Sequence, residues 1–274
     1  PADGGTRSGF RPAGLRRSPS VLVGIGDDTA VLRAPGGGRL LLFASDMLVE
    51  GVHFDRRRLA PERIGWKALA VNVSDIAAMG GWPLWAVLSL GLPPQTPVRF
   101  VDGLYRGLAR CAKRFDLSIV GGDTDRAPRV VVDVAIIGAV RPQDLTLRRG
   151  IQVGDRLYVT GRLGGSYRSG RHATFIPRLA EAQALLRRVR VRAMIDLSDG
   201  LASDLWQLSR ASRVVLRVET SRIPVARSAG SCLRRACRCR LWRGRQAVYH
   251  ALTDGEAFEL LFAVGPSAAA RVPR

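Results

Sequence analysis

Residues 61–81, PERIGWKALAVNVSDIAAMGG, and the apolar run at 84–92, LWAVLSLGL, decide the fold class of this 274-residue chain. Proline is favoured in the first turn of a helix and a Gly-Gly pair interrupts one, so the first segment predicts a helix over 61–79. The apolar run lies between Pro83 and Pro93 and predicts a buried strand. A helix followed directly by a strand predicts a mixed α/β fold.

The alternation of helices and strands continues on both sides of this segment. Apolar residues at 100, 104, 108, 111 and 115 recur at steps of three or four, which predicts a second helix that begins at Pro97. The other predicted strands are 40–44, 117–120, 130–140, 156–160, 193–197, 214–218 and 259–264, and the other predicted helices are 177–191 and 199–211.

The pattern repeats after a boundary that we place near residues 145–153. We assign residues 21–148 to an N-terminal α/β domain and residues 149–274 to a C-terminal α/β domain. Residues 1–20 are rich in Gly, Arg and Pro and lack hydrophobic periodicity, so we expect a disordered or poorly ordered segment there. No apolar run reaches the roughly 18 to 20 residues that span a bilayer, which argues against a membrane protein.

The net charge of +20 arises from 43 basic and 23 acidic residues. Lys67 and Lys113 are the only lysines, so the basic residues are almost all arginines, spread along the chain. The arginine runs at 187–192 and 234–245 lack the interleaved aromatic side chains on which single-stranded nucleic acid stacks. We interpret the charge as solvated surface and argue against a nucleic-acid partner, with binding to a polyanion as the alternative.

The four cysteines, Cys111, Cys232, Cys237 and Cys239, form no CxxC pair, and no histidine lies at zinc-finger spacing from them. This pattern argues against a zinc site. It is typical of a protein from a reducing compartment, so we predict a cytoplasmic location.

Acidic residues cluster in short segments that contain glycine or serine and lie beside apolar runs. These segments are 24–28 (GIGDD), 45–46 (SD), 74–75 (SD), 121–124 (GGDT), 196–200 (DLSDG) and 254–256 (DGE). We interpret them as loops at strand ends. Carboxylates brought together there repel one another and raise one another's pKa unless they share a cation. Mg²⁺ takes hard oxygen ligands together with substrate phosphates, so the segments predict magnesium-assisted phosphoryl transfer.

Each aspartate has an alternative role in a turn or a helix cap, as Asp199 would have at the start of a helix. The sequence excludes two familiar phosphate sites. It has no GxxxxGK[ST] motif, and Gly24-Ile25-Gly26 is followed by two aspartates that would repel a pyrophosphate. His53 follows the 45–46 segment, where it either contacts a substrate or forms a structural hydrogen bond.

Several motifs together are similar to those of the thiamine-monophosphate kinases. They are GIGDDTA at 24–30, SDMLVEGVHF at 45–54, KALAVNVSDIAAMG at 67–80, GGDT at 121–124, IDLSDGL at 195–201 and LTDGE at 252–256. They occur in the family's order, and the resemblance covers roughly residues 21–264. The related aminoimidazole ribonucleotide synthetases and selenophosphate synthetases share the acidic segments but lack the VEGVHF motif.

The resemblance implies a two-domain fold of the aminoimidazole ribonucleotide synthetase type. Its N-terminal domain binds ATP and magnesium and forms a barrel across a homodimer, and its C-terminal domain is a layered α/β structure. The implied enzyme is a kinase that transfers a phosphoryl group in line from its co-substrate ATP to thiamine monophosphate, with the help of several Mg²⁺ ions.

The resemblance also implies roles for individual residues. The implied metal ligands are Asp28, Ser45, Asp46, Asp75, Asp123, Asp196 and Asp199, and four of them, Asp28, Asp46, Asp75 and Asp123, form the catalytic set. Gly122, Asp123, Arg148 and Ser198 would contact ATP, and His53 and Glu256 would contact the thiamine substrate.

The sequence departs from the family's pattern at three places. Ala44 stands where a hydroxyl residue is common, and Ala257-Phe258 replaces an Asp-Tyr pair. The chain ends at Arg274, short of the family's last strands, so we expect a truncated C-terminal domain. The alternative functions are a related ATP-using enzyme with another phosphorylated substrate, and an inactive or polyanion-binding remnant.

Overall fold

The computed structural model describes residues 18–230 and 243–272, without the side chains of 243–245. Most of the segment predicted to be poorly ordered, and the cysteines Cys232, Cys237 and Cys239, lie outside the described residues. The described part contains two sheets with helices packed beside them, which confirms the mixed α/β prediction. None of its helices is long and apolar enough to cross a membrane.

The first sheet has six strands in the order β1-β2-β3-β6-β4-β5. They are β1 Val21–Val23, β2 Ala30–Arg33, β3 Leu40–Val49, β4 Trp82–Leu92, β5 Ser118–Arg126 and β6 Val131–Val140. All neighbours are antiparallel except β4 and β5. Along β3, Leu42 and Leu48 are buried while Phe43 and Met47 are exposed, the alternation of a sheet covered on one face.

Two long helices cover the buried face of this sheet. Helix α1 (Pro61–Ala78) packs on β3, β4 and β6, and helix α2 (Val98–Phe115) packs on α1. Proline occupies the first turn of α1, and Gly80 follows its end with a φ of +76°, as the sequence predicts.

The second sheet has three antiparallel strands in the order β7-β9-β8. They are β7 Arg156–Val159, β8 Val191–Asp196 and β9 Leu260–Val264. Shorter helices surround this sheet. They are α3 Ser166–Ser169, α4 Leu179–Leu186, α5 Leu201–Ser212, α6 Arg227–Gly230 and α7 Arg243–Thr253, with 3₁₀ turns at Arg171–Ala173, Thr220–Arg222 and Pro266–Arg271.

Helix α1 contacts both halves of the chain. Besides the first sheet it touches β8 and α4. Its residues Ala77 and Ala78 belong to a buried cluster with Leu185, Met194 and Phe262 from the second half. A helix that is buried on several sides explains why its sequence is apolar almost all round. The domain boundary near residues 145–153 stays a prediction.

Three acidic segments predicted as loops lie inside regular elements. Ser45 and Asp46 are in β3, Ser74 and Asp75 are in α1, and residues 121–124 are in β5. The loop prediction is wrong there because glycine and serine beside an acid resemble turn signals, whereas the backbone pairing continues through them. Asp46, for example, pairs with Val134 of β6.

The strand predicted at 214–218 is also wrong. No described strand pairs with these residues, and Val215 is 95% exposed while Val214 and Leu216 pack against the second half's core. The alternation reflects one-sided packing of an extended segment. The helix predicted at 177–191 ends earlier, at Leu186, because residues 187–190 lead directly into β8.

Helices α1 and α2 cross at two glycines that allow their backbones to touch. A Cβ atom built on Gly65 would lie 2.0 Å from the carbonyl oxygen of Leu104, and one on Gly107 would lie 2.0 Å from that of Glu62. Both distances are far inside van der Waals contact, so any side chain at either position forces the helices apart. The position of α1 therefore depends on this crossing.

We expect Gly65→Ala to lower the free energy of unfolding by about 2 kcal/mol or more, because the added methyl group overpacks a fixed backbone contact. Denaturant-induced unfolding followed by circular dichroism measures the loss. Gly230→Ala is the control, since a Cβ atom there meets none of the described residues within 4 Å. Equal stability of the two variants would contradict the close crossing.

Candidate active site

Four aspartates from four separate segments meet where the two halves of the chain join. Asp28 precedes β2, Asp46 lies in β3, Asp75 lies near the end of α1, and Asp196 ends β8. Carboxylate oxygens of Asp28, Asp75 and Asp196 lie within 4.8 Å of one another. Asp46 hydrogen-bonds to Asp75 and so belongs to the same group. We call these four residues the acidic pocket.

The surrounding elements hold these side chains in place. In β3, Asp46 lies on the same face as the buried Leu42 and Leu48, which is the face that α1 covers. Ser74 of α1 donates its hydroxyl to Oδ2 of Asp196 at 2.6 Å, which joins α1 to β8. Asp196 is 2% exposed, so this contact is shielded from water.

Burial and mutual repulsion dominate the electrostatics of the acidic pocket. Burial, followed by the charges of Asp196, Asp46 and Asp28, raises the pKa of Asp75 well above its ordinary value. Burial and the charge of Asp28 do the same to the pKa of Asp196. The hydrogen bond between Asp46 and Asp75 joins two carboxyl groups and so requires a proton on one of them.

Arg148 supplies positive charge to the acidic pocket. Its Nη2 lies 2.6 Å and its Nε 3.2 Å from Oδ1 of Asp28. Its backbone N–H points at both carboxylate oxygens of Asp27, at 3.2 and 3.3 Å. Burial and the charge of Asp28 nevertheless raise the pKa of Asp27 to about 7. One guanidinium therefore does not balance the acids around it.

The chemistry of the donor set fits a divalent cation. Oδ2 of Asp28 is buried and has no hydrogen-bond partner within residues 18–230 and 243–272, which is costly for a carboxylate oxygen unless a ligand completes it. Four carboxyl groups supply hard oxygens in one small volume, and magnesium is bound in proteins by such oxygens. The residues that would hold it are Asp28, Asp46, Asp75 and Asp196.

Two predicted ATP contacts, Arg148 and Ser198, and the predicted metal ligand Ser45 line the same pocket. Ser45, Arg148 and Ser198 border it together with Gly24 and Thr29. Asp199, which follows Ser198, lies close enough for its charge to raise the pKa of Asp46, after burial and the charge of Asp133. The structure thus brings the 196–200 segment beside β3, while the roles of these residues stay predictions.

Gly122 and Asp123 lie away from the acidic pocket. They are exposed on β5, the edge strand of the first sheet, and Asp123 is not part of the carboxylate group formed by Asp28, Asp75 and Asp196. Asp123 pairs with Ser89 across the sheet, and Ser89 pairs with Asp133. The Ser45 hydroxyl donates to Oδ1 of that same Asp133 at 3.0 Å.

The two predicted substrate residues lie on segments that flank α1. Nδ1 of His53 accepts the backbone N–H of Val49 at 3.0 Å, so in the neutral ring the proton sits on Nε2. Glu256 has a φ of +59°, an unusual value for a residue with a side chain. Its backbone is fixed by a 2.7 Å hydrogen bond to Ser198 and a 2.5 Å hydrogen bond from the Ser166 hydroxyl.

The two residues that stand in place of the family's Asp-Tyr pair lie in the protein interior. Ala257 and Phe258 are both buried, and the Phe258 ring stacks on Phe175 with centroids 4.1 Å apart. Phe175 and Phe258 belong to the same buried cluster as the first sheet. The substitution thus gives a contact that helps to hold the 254–258 segment against the first half.

Sequence reasoning missed three charged residues near the pocket. Asp204, in the first turn of α5, is 2% exposed, and its Oδ2 has no hydrogen-bond partner in the part of the chain that the structure describes. Burial and the charge of Asp199 raise the pKa of Asp204 to about 7. Asp27 was treated as part of a motif and given no role of its own. Lys67 lies in an apolar helix, and only its charge in such surroundings could have drawn attention to it.

Comparisons with known proteins place the chain in a family. Residues 26–140 match the model of the AIR synthase related protein, N-terminal domain. A thiamine-monophosphate kinase of Rhodopirellula baltica is 38% identical over 263 residues, which is 93% of this chain and 80% of the relative. The chain belongs to the thiamine-monophosphate kinase family.

Other members of the thiamine-monophosphate kinase family agree in sequence and structure. The enzyme of Escherichia coli is 34% identical over 89% of this chain and 77% of its own length. A solved structure described as AaThiL complexed with AMPPCP and TMP superposes with a TM-score of 0.79 at 29% identity, over 89% of this chain and 81% of that one. The hydrogenase maturation protein HypE of E. coli, at 21% identity and a TM-score of 0.68, shares the fold.

We expect this thiamine-monophosphate kinase family member to lose stability as the pH rises when no divalent cation is present. The pKa values of Asp27 and Asp204 rise from 3.8 to about 7 on folding, so between these values the folded state holds protons that the unfolded chain has released. The free energy of unfolding therefore falls as the pH rises through this range.

Denaturant unfolding in EDTA at pH 5 and pH 8 measures the effect, with Asp75→Asn as the comparison because it removes one buried charge. The drop in stability from pH 5 to pH 8 should be smaller in Asp75→Asn than in the wild type. Magnesium should stabilise the wild type more at pH 8 than at pH 5. A wild-type drop no larger than that of the variant would contradict the electrostatic account.

Proposed function

We propose that this chain transfers the terminal phosphoryl group of ATP to thiamine monophosphate, which gives ADP and thiamine diphosphate. The observation that carries the proposal is the acidic pocket, where buried carboxylates from four distant segments converge. Relatives named thiamine-monophosphate kinase at 38%, 36% and 34% identity support it, and so does the related structure that holds AMPPCP and TMP.

The residues of the pocket can be assigned to steps of this reaction. Magnesium held by Asp28, Asp46, Asp75 and Asp196 would neutralise charge on the ATP phosphates. Arg148, at the rim, can present its planar guanidinium to a phosphate oxygen. Ser198 lines the same space with a hydroxyl. From the sequence resemblance we also propose Ser45, Asp123 and Asp199 as metal ligands and Gly122 as an ATP contact, although Gly122 and Asp123 lie on β5, outside the acidic pocket.

Phosphoryl transfer to the phosphate of thiamine monophosphate requires no strong base. The P–O bond between the terminal phosphorus and ADP breaks as a bond forms to an oxygen of the acceptor's phosphate. A phosphate monoester has a second pKa of about 6, so that oxygen is already ionised at neutral pH. The described residues that line the pocket include no histidine and no lysine, which agrees with a reaction that depends on positioning and charge neutralisation.

We expect Asp75→Asn to lower kcat by at least about a hundredfold, because it removes a metal-holding carboxylate from the centre of the pocket. Asp116→Asn is the matched control, since Asp116 is exposed and ends α2 in a left-handed conformation that asparagine also tolerates. Thiamine diphosphate formed from ATP and thiamine monophosphate is quantified by chromatography. Slow ATP hydrolysis without thiamine diphosphate in the wild type would favour a different acceptor.

We also propose that the chain forms a homodimer through the outer face of the first sheet. Phe43, Met47, Trp85 and Val87 are between 42% and 53% exposed on this face. Phe43 and Trp85 both pair with Ile137 of β6, so they are neighbours across three strands. An exposed apolar sheet face of this kind is typical of a surface covered by another molecule. A barrel across the dimer is the arrangement that the sequence resemblance implies.

We expect Val87→Glu to convert dimers into monomers, because a charge in the centre of a buried apolar face is not solvated. Val153→Glu is the control, since Val153 is 96% exposed in a turn before β7. Light scattering after gel filtration gives the mass of each variant. A wild-type protein that is monomeric at micromolar concentration would contradict the proposed dimer.

The cytoplasmic location and the absence of a nucleic-acid partner stay predictions from the sequence. In the described part of the chain the cysteine present is Cys111, which is free and buried within α2.

A further inference from the structure

Lys67 is a charged side chain in the interior of α1. Its side chain is 0% exposed, although lysine is among the residues least often buried in proteins. Its Nζ lies 2.5 Å from Oε1 of Glu256 and donates to the backbone carbonyl of His53 at 2.7 Å. Burial, opposed by the charge of Glu256, lowers the pKa of Lys67. A buried ammonium is costly, so both partners matter for keeping it there.

The two partners come from different halves of the chain. His53 follows β3, in a turn closed by the hydrogen bond from the N–H of Gly51 to the carbonyl of Phe54. Glu256 precedes β9 and is held to the 196–200 segment through Ser198. The ammonium group of Lys67 therefore contacts both segments that are predicted to bind the substrate, and so connects them.

The helix that carries Lys67 also contributes to the acidic pocket. Lys67 and Ser74 are separated by seven residues, which is two turns of helix and about 10 Å along its axis. Ser74 contacts Asp196, and Asp75 is part of the acidic pocket. One rigid helix thus sets the distance between the phosphate end of the site and the segment that carries Glu256.

We propose that Lys67 is a positioning residue for the acceptor substrate, which acts by fixing Glu256 and the His53 turn for the non-phosphate end of that substrate. The inference rests on the proposed kinase function and adds to it the device that orients the acceptor. The ligand class is a phosphate monoester attached to a cationic or N–H-bearing ring, for which a fixed carboxylate is a suitable partner.

The geometry explains why a cation is required at this position. Glu256 has a left-handed backbone conformation, which is unfavourable for a residue with a side chain and persists only when the surroundings hold it. The ion pair engages Oε1, so the orientation of the whole carboxylate follows from Lys67. Glu256 is 27% exposed at its side chain, so the same group that Lys67 fixes can be reached from outside.

A second polar group lies beside this pair. His172 is 4% exposed, and after burial the charges of Lys67 and Glu256 have the largest effects on its pKa, which is lowered overall. Its Nε2 is buried and has no hydrogen-bond partner among the described residues. The neutral imidazole therefore belongs to the same buried polar group as Lys67 and Glu256.

The test compares Lys67→Met with Lys113→Met, which changes the other lysine of the chain at an exposed position on α2. Methionine keeps the length of the side chain and removes the charge. We expect the KM for thiamine monophosphate to rise about tenfold or more in Lys67→Met, because misplacement of a positioning group weakens productive binding. The KM for ATP should change less than about twofold, and Lys113→Met should match the wild type.

A double-mutant cycle shows whether Lys67 acts through Glu256. If it does, the KM of Lys67→Met/Glu256→Gln for thiamine monophosphate will be no higher than that of the more affected single variant. Multiplied effects in the double variant, an unchanged KM in Lys67→Met, or equal increases in both KM values would overturn the proposal. Should Lys67→Met not fold, Lys67→Gln, which keeps a donor for the His53 carbonyl, takes its place.

A separate readout distinguishes failure of this inference from failure of the proposed function. If the wild type neither converts nor binds thiamine monophosphate in equilibrium dialysis, the proposed function fails. Amide hydrogen exchange then tests only whether Lys67 holds the His53 turn and the Glu256 segment in place. Residues 51–54 and 255–258 should exchange at least about fivefold faster in Lys67→Met than in Lys113→Met. Equal exchange in the two variants would show that Lys67 does not fix these segments.

Discussion

Repulsion among buried carboxylates is the constraint on which the rest of this molecule depends. The packing of apolar side chains holds the elements that carry Asp28, Asp46, Asp75 and Asp196 close together. Burial makes the negative charges of these residues costly. The fold tolerates this because Arg148 offsets part of the charge and protons can offset more. Such an arrangement is stable enough to fold, yet it favours the arrival of a divalent cation.

Helix α1 is the element that makes the arrangement possible. It is buried against the first sheet, α2 and the second half, so its position is determined on several sides. The glycine contact with α2 fixes how closely it approaches, and Ser74 joins it to Asp196. Asp75 at one end and Lys67 two turns earlier are then held by the same rigid body. A site built on a packed helix keeps its geometry better than a site built on loops.

The sequence predicted the fold class, the long elements and the main acidic residues, and it was weaker on what surrounds them. The helix over 61–79 and the strand after it were predictable because proline, Gly-Gly and apolar periodicity are local signals. The loops predicted at Asp46 and Asp123 were wrong, because both residues lie within paired strands. At Asp75 the predicted helix was right and the loop reading of the Ser-Asp segment was wrong.

The burial of Asp204 and the pairing of Lys67 and Arg148 with their acidic partners could not be read from local pattern. Each depends on a partner more than 100 residues away or on burial produced by the tertiary fold, as for Lys67 with Glu256 and Arg148 with Asp28. The extended segment at 214–218 shows the opposite error, since a strand-like alternation arises from one-sided packing without any neighbouring strand among the described residues.

If Arg148 binds a nucleotide phosphate as proposed, its pairing with Asp28 makes nucleotide capture an exchange of ionic contacts. Nη2 and Nε of Arg148 donate to Oδ1 of Asp28, so these donors reach a phosphate only by leaving that oxygen, for which a divalent cation would then be the new counter-ion. The free energy released on capture is therefore the difference between two sets of ionic contacts, and it is smaller than either set alone. An enzyme that turns over needs this moderation, because a product held by undiminished contacts would leave too slowly.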